Sequence, residues 1–482
     1  MFDFKPISLV LGFLVCVTGI FLMVPLVTEL IYKTDHWQAY AVPMIVYLIV
    51  GGSLVIINKD TEMKLNLKGA FLLTGLSWVV MAFICSVPFM FAKTNLVFSD
   101  AIFESVSGIT TTGSTVINAL DLQPKGVLIW RAILQWLGGI GIIVLAISVL
   151  PFLKVGGMQL FHMEGDDPYE KFLPRISSVV SKIFIIYLLL TIICITSYFL
   201  FGMSLFDSIT HGFTTISTGG FSTHSESLAF FNSNKILLIS ILFMIIGSLP
   251  FIILAQISIK NPLILFQDQQ IKLFIIIILC LIISLYFFID DSIYNSTVNK
   301  IITISFNTVS IITGTGYVSD NFENWGNYSS ILFLLIMFIG GCAGSTTGGL
   351  KIFRFQILFL SVKNHIRKLI KPHGVFASKF NGKVIPESSF DSVTSFFFVY
   401  ILSFVIIAFL MSLSGYDLVT CLSAAATSIS NVGPGLGDII GPEGNFSSLN
   451  DYSKYILCLG MIFGRLEILT LLILLSPFYW KS

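Results

Sequence analysis

The chain has 482 residues, 55% hydrophobic and 11% charged, with a formal net charge of +1 and a mean hydropathy of +0.92. That balance excludes a soluble globular domain and reads as an all-α integral membrane protein. Seven cysteines lie far apart with no paired metal-ligand spacing, as buried small hydrophobes do.

A hydrocarbon core about 30 Å thick takes about 20 apolar residues of helix. In chain order the stretches that qualify are about 7–31, 38–57, 69–91, 127–150, 181–201, 236–259, 271–289, 389–413 and 454–475. The first is long, lacks a small-residue cleavage site and is followed at once by a second span, so it reads as retained rather than as a signal peptide. The alternation of a β-barrel is absent. With the N-terminus cytoplasmic, eighteen Lys and Arg fall on cytoplasmic segments and seven outside, among the latter Arg131, Lys300 and Lys454. This excess puts both termini on the cytoplasmic side. Acidic residues such as Asp290, Asp320, Glu323 and Asp438 crowd the outer loops. They either concentrate cations there or are ordinary solvated loop charge.

Between spans, four short segments share a glycine-centred signature: Thr111-Thr112-Gly113, Thr218-Gly219-Gly220, Gly314-Thr315-Gly316 and Asn431-Val432-Gly433. Their last glycines are 107, 96 and 117 residues apart, which calls for one unit of roughly a hundred residues used four times. Each unit parses as span, short helix, glycine loop, span. The expected organisation is an N-terminal two-helix hairpin at 1–62 and four tandem repeats at 63–160, 170–262, 268–372 and 385–482 in pseudo-four-fold arrangement. Asp100 and Asp207 stand 13 residues before their glycines and Asp417 stands 16 before its own, where an Asp can cap a short helix; the third repeat has Asn299 and Lys300 there. For one loop alone, a plain turn between spans explains the sequence equally well. Four in register predict a pore, because irregular backbone at membrane depth is tolerated only in a wet cavity or inside protein. Carbonyls of these twelve residues, aimed at one axis, could replace the hydration shell of a monovalent cation.

Gly340, Gly341, Gly344, Gly348 and Gly349, with Ser345, Thr346 and Thr347, interrupt an apolar run that starts near Ile331 and resumes through Phe359. At about 1 kcal/mol per glycine a continuous helix is costly there, so the chain is expected to break, unless the small residues serve close helix packing. Arg465 lies in an apolar span and needs a partner or a wet cavity. It predicts a water-filled path or else a salt bridge between helices; Glu467, two residues on, lies on a different helical face. Glu104 and His211 share one offset, nine before their glycines, and read as polar residues that hold the loops rather than as a proton relay. Lys363, Arg367, Lys368, Lys371, Lys379 and Lys383 form a basic connector suited to anionic membrane lipid or to docking a soluble partner.

Nearly the whole chain resembles the bacterial TrkH-type potassium-translocating subunits of the Trk/Ktr/HKT superfamily. Besides the four loops, the resemblance rests on Gln135-Trp136-Leu137-Gly138-Gly139-Ile140-Gly141, Ser217 through Ser222, Gly340 through Lys351, and Gly464-Arg465-Leu466-Glu467-Ile468. The hairpin at 1–62 looks like the extra helix pair of TrkH-type proteins. The resemblance implies K+ as the transported ion, the segment 340–350 as a gate loop beneath the filter, and Arg465 at the constriction beside it. It also implies a homodimer in the bacterial inner membrane and a TrkA-type cytosolic nucleotide-binding regulatory subunit. A serine at the first filter position goes with Na+ preference in plant relatives, and Gly113 stands there. No nucleotide-binding loop, metal cluster or catalytic triad supports an enzyme, and no cofactor or nucleic acid is expected. Two rivals stay open: a transporter that couples K+ to H+ or Na+, and a Na+-permeable pore.

Overall fold

The computed structural model describes residues 4–61, 66–148, 169–257, 262–294, 296–374 and 376–481. The expected limits near 62, 150, 160 and 259 fall outside them. Among the described residues, seven helices are long and apolar enough to cross a membrane, and a bent pair makes an eighth. Strand among the described residues is confined to a two-residue pairing of Lys379–Phe380 with Lys383–Val384.

Lys5–Ile31 packs along Gln38–Ile57 as the expected hairpin. Gly12 and Gly51 make the crossing: a Cβ on Gly51 would fall 2.7 Å from Gly12 O, so only small residues let these backbones approach. The hairpin is tied to the bundle by buried Glu29, whose Oε1 accepts the Gly126 N–H at 2.7 Å. A carboxylate at the amide-rich start of Lys125–Ser148 offsets the positive end of that helix.

Each repeat then runs from a long helix to a short one, a loop and a second helix. The short helices are Phe98–Ile109, Leu205–Ile216, Thr297–Ile312 and Leu418–Ser430. Three of the four are capped by a side chain, but not as expected throughout. Asp417 accepts the Thr420 N–H, whereas the second helix is capped by Ser204 and the third by Ser296. Asp207 sits in the first turn of its helix and accepts from Ser204 and Thr223, while Asp100 pairs with Lys454 at 2.6 Å.

Two expected spans are broken. The stretch from 236 bends after Asn234–Gly247 and continues as Phe251–Gln256, with Pro250 denying an amide to the ladder. The last span turns by 112° between Asp451–Arg465 and Ile468–Leu475, with Glu467 at φ +62. The second helix of repeat three stops at Ile336 and helix resumes at Ile352, so the glycine-rich segment is a break rather than a packing stripe.

Arg131, Lys300 and Lys454, counted above as outer loop charges, are buried instead. Lys300 donates to Ile289 O and pairs with Asp291. They fasten elements together rather than standing as solvated loop charges.

Candidate functional site

All four short helices end in the same backbone motif. The N–H groups of Thr111, Thr218, Gly314 and Asn431 return to the carbonyls three residues back, and those of Thr112, Gly219, Thr315 and Val432 to the carbonyls five back, at 2.8–3.4 Å. This pair of bonds is the Schellman termination, which needs a left-handed residue. Thr111, Thr218, Gly314 and Asn431 supply it at φ +53, +50, +70 and +55. Gly314 and Asn431 adopt that conformation readily, but β-branched Thr111 and Thr218 are strained in it. Residue identity therefore varies between loops while backbone shape does not. Two residues on, Gly113, Gly220, Gly316 and Gly433 again have positive φ, from +77 to +114.

The four loops close a ring. A Cβ on Gly113 would fall 2.3 Å from Gly219 O, one on Gly220 1.7 Å from Thr315 O, one on Gly316 2.0 Å from Val432 O, and one on Gly433 3.0 Å from Thr112 O. Repeat one thus abuts two, two abuts three, three abuts four and four abuts one. On one side the four glycines border a cleft of about 80 Å³, together with Ser114, Ser222 and His224.

Side chains behind the ring fix its shape. Gln135 brackets the second loop, donating from Nε2 to Gly219 O at 2.6 Å and accepting the Phe221 N–H at Oε1 at 3.0 Å. Glu104 accepts from Thr115 Oγ1 and the Val116 N–H, and pairs with Arg131 at 2.6 Å. Arg131 donates onward to Ser222 O, joining loops one and two. His211 contacts Asp207 O and Ser222 Oγ, so both residues at the shared offset hold loops, as read from the sequence. Asn431 Nδ2 donates to Thr112 Oγ1 at 2.9 Å and links loop four to loop one.

The broken segment of repeat three lies against this ring. Thr346 Oγ1 donates to Gly247 O at 2.9 Å and accepts from Thr218 Oγ1 at 3.0 Å. A Cβ on Gly348 would fall 2.4 Å from Ser430 O, and Gly340 packs on Gly348 and Gly349. Within the loop, Thr347 Oγ1 accepts the Gly341 N–H and lies 2.8 Å from Ser345 Oγ, and Gly344 O accepts the Phe251 N–H. Arg465 donates to Thr346 O at 2.9 Å and Gly138 O at 3.4 Å, and its Nε has no hydrogen-bond partner among the described residues. Its hydrogen bonds go to carbonyls, not to a carboxylate. Glu467, which the sequence left without a partner, pairs with Arg354.

Four pore-loop repeats around one axis, set in membrane-length helices, define an integral membrane protein of pseudo-four-fold architecture. The family model for TrkH, cation transport protein, matches residues 36–482, and the chain belongs to this family. The Trk system potassium uptake protein TrkI of Halomonas elongata is 39% identical over 478 residues, covering 99% of this chain and 97% of that protein. TrkH of Vibrio parahaemolyticus is 37% identical over 488 residues, covering all of both, and TrkH of Escherichia coli K12 36% over 491. The crystal structure of the potassium transporter TrkH from Vibrio parahaemolyticus aligns over the whole of both chains with a TM-score of 0.91 at 35% identity. The work of this family is transport rather than catalysis.

Proposed function

We propose that this chain takes up K+ across the bacterial inner membrane through a gated, K+-selective pore with both termini on the cytoplasmic side. The closed ring of four left-handed loops is the observation that carries this reading. Thr111 to Gly113, Thr218 to Gly220, Gly314 to Gly316 and Asn431 to Gly433 form the filter, with carbonyl oxygens in place of the ion's water shell. The carboxyl ends of the four short helices converge on it, and their partial negative charge favours a dehydrated cation.

The gate is the loop Gly340–Gly349 with Arg465, whose charge opposes a cation leaving the filter until the loop withdraws. Gly340, Gly341, Gly344, Gly348 and Gly349 give the loop room to fold under the ring, and Ser345, Thr346 and Thr347 hold it there. Control comes from a TrkA-type cytosolic nucleotide-binding subunit that docks on the basic connector near Lys363 to Lys371, and the working unit is a homodimer. The relatives' assignment to a Trk system supports that partner.

Purified protein in liposomes under opposing K+ and Na+ gradients tests this. A reversal potential near the K+ equilibrium value is expected. A value near that of Na+ would overturn the selectivity, and K+ uptake only with an imposed H+ or Na+ gradient would replace the pore by a coupled symporter.

A further inference from the structure

The flank of the bundle holds an apolar pocket of about 400 Å³ that the ion pathway does not use. Leu14 and Val17 of the hairpin, Trp78 and Met81 of Leu67–Phe91, and Gly138 and Gly141 of Lys125–Ser148 are among its lining residues. Its hydroxyls are spent inside their own helix: Thr74 donates to Ala70 O at 2.8 Å and Ser77 to Thr74 O at 3.0 Å. A buried water wants two to four polar partners, so the pocket suits a hydrocarbon occupant, and its size is that of a ligand site. Its walls are membrane-length helices, and Phe13 and Ile20 beside it point outward at 54% and 59% exposure. The medium at that face is lipid.

The two glycines of the wall differ. A Cβ on Gly138 would fall 1.9 Å from Ile109 O, at the end of the first short helix, whereas a Cβ on Gly141 would meet nothing within 4 Å. Gly138 O is also one of the two carbonyls that hold Arg465. We propose that this pocket binds the acyl chain of a membrane lipid, which seats against Gly138 and steadies the carbonyl under Arg465. The link to gating rests on the gate proposed above; occupancy of the pocket does not.

The test uses the full-length protein in liposomes containing a phospholipid with a diazirine near the end of one acyl chain. Irradiation should label the segments around Leu14 and Gly141. Gly141→Leu and Ser77→Leu fill the pocket from opposite walls. Either should cut that label about tenfold, the factor that roughly 1.4 kcal/mol of lost apolar contact carries, while label on Gln269–Phe288 persists. Label missing from the pocket, or undiminished in both variants, overturns the site. Label that appears only once oligomers are dissociated means that a second copy covers this face, which also overturns it. Flux of the wild type should vary with acyl-chain unsaturation and that of Gly141→Leu should not; equal responses would overturn the link to Arg465. Because labelling needs no ion flux, failure of the site and failure of the transport reading are distinguishable.

Discussion

Arg354 and Glu467, 113 residues apart, share a buried ion pair of 2.5 Å. Arg354 also donates to Leu350 O at the end of the glycine-rich loop, and its guanidinium lies 3.7 Å over the ring of Phe396. Glu467 stands at the 112° bend of the last span, two residues after Arg465. One arginine therefore joins the loop's exit, the bend that sets the direction of Arg465, and the first span of repeat four. Loop and Arg465 share an anchor and are expected to move together.

Removing one partner of such a pair leaves a buried charge uncompensated, which typically costs about 3–5 kcal/mol. Glu467→Ala should therefore lower the melting temperature in detergent markedly, and Glu467→Gln, which keeps an acceptor for Arg354, should lower it less. A melting temperature unchanged in both variants would show that the pair is no clasp.

The ring predicts an order of severity among glycine substitutions. Alanine at Gly220 or Gly316 puts a methyl within 2.0 Å of a neighbouring carbonyl, and at Gly113 within 2.3 Å. At Gly433 the approach is 3.0 Å and the penalty comes mainly from φ +114. Gly220→Ala and Gly316→Ala should abolish ion discrimination, and Gly433→Ala should weaken it least. Reversal potentials of the four variants check this, and equal loss at all four positions would count against steric closure of the ring.

How much of this was legible in the sequence differs by element. Spacing and glycines announced the four loops, because a Schellman ending followed by a second left-handed glycine leaves a compositional trace. The break at Gly340–Gly349 was legible for the same reason. The bend at Glu467 was not: Leu466, Glu467 and Ile468 carry no glycine or proline, and Arg354, the partner of Glu467 at the bend, lies far away in the chain. That Arg131 is buried rather than a solvated loop charge was not legible, because its counter-ion, Glu104, lies 27 residues earlier on another helix. Gln135 lay within a quoted motif, yet its two hydrogen bonds to loop two exist only once repeats one and two pack. Local chemistry shows in local sequence; pairings across repeats do not.

His224 gives the cleft beside the four glycines a dependence on pH. Its Nδ1 lies 2.6 Å from Asp121 Oδ1 and its Nε2 3.5 Å from Asp207 Oδ1, with His211 the other titratable group nearby. Burial lowers the imidazole pKa, but the carboxylates of Asp207 and Asp121 outweigh it and hold the value above 6.5. Burial likewise raises Asp121, and hydrogen bonds from His224 and Ser225 bring it below its ordinary 3.8. A raised histidine stabilises the fold fully below 6.5, and that contribution fades as pH climbs through the higher folded value. The melting temperature of the wild type should exceed that of His224→Gln most at acid pH, and the gap should narrow above neutrality. A gap that widens with rising pH would reverse the assignment.

Arg465 tests the proposed gate most directly, because charge and shape can be separated there. At an effective dielectric of about 20, a unit charge opposes a cation by about 2 kcal/mol at roughly 8 Å, more than tenfold in rate. Arg465→Gln should raise passive K+ flux in liposomes by at least about that factor and leave the reversal potential unchanged, since the four glycine loops proposed as the filter are untouched. Arg465→Lys keeps the charge, but a single ammonium cannot span Thr346 O and Gly138 O as the forked guanidinium does. A lysine variant as closed as the wild type assigns the barrier to charge. One as leaky as the glutamine variant assigns it to the two hydrogen bonds that tie the loop at Thr346 to Gly138, and a folded glutamine variant with unchanged flux would remove Arg465 from the proposed gate.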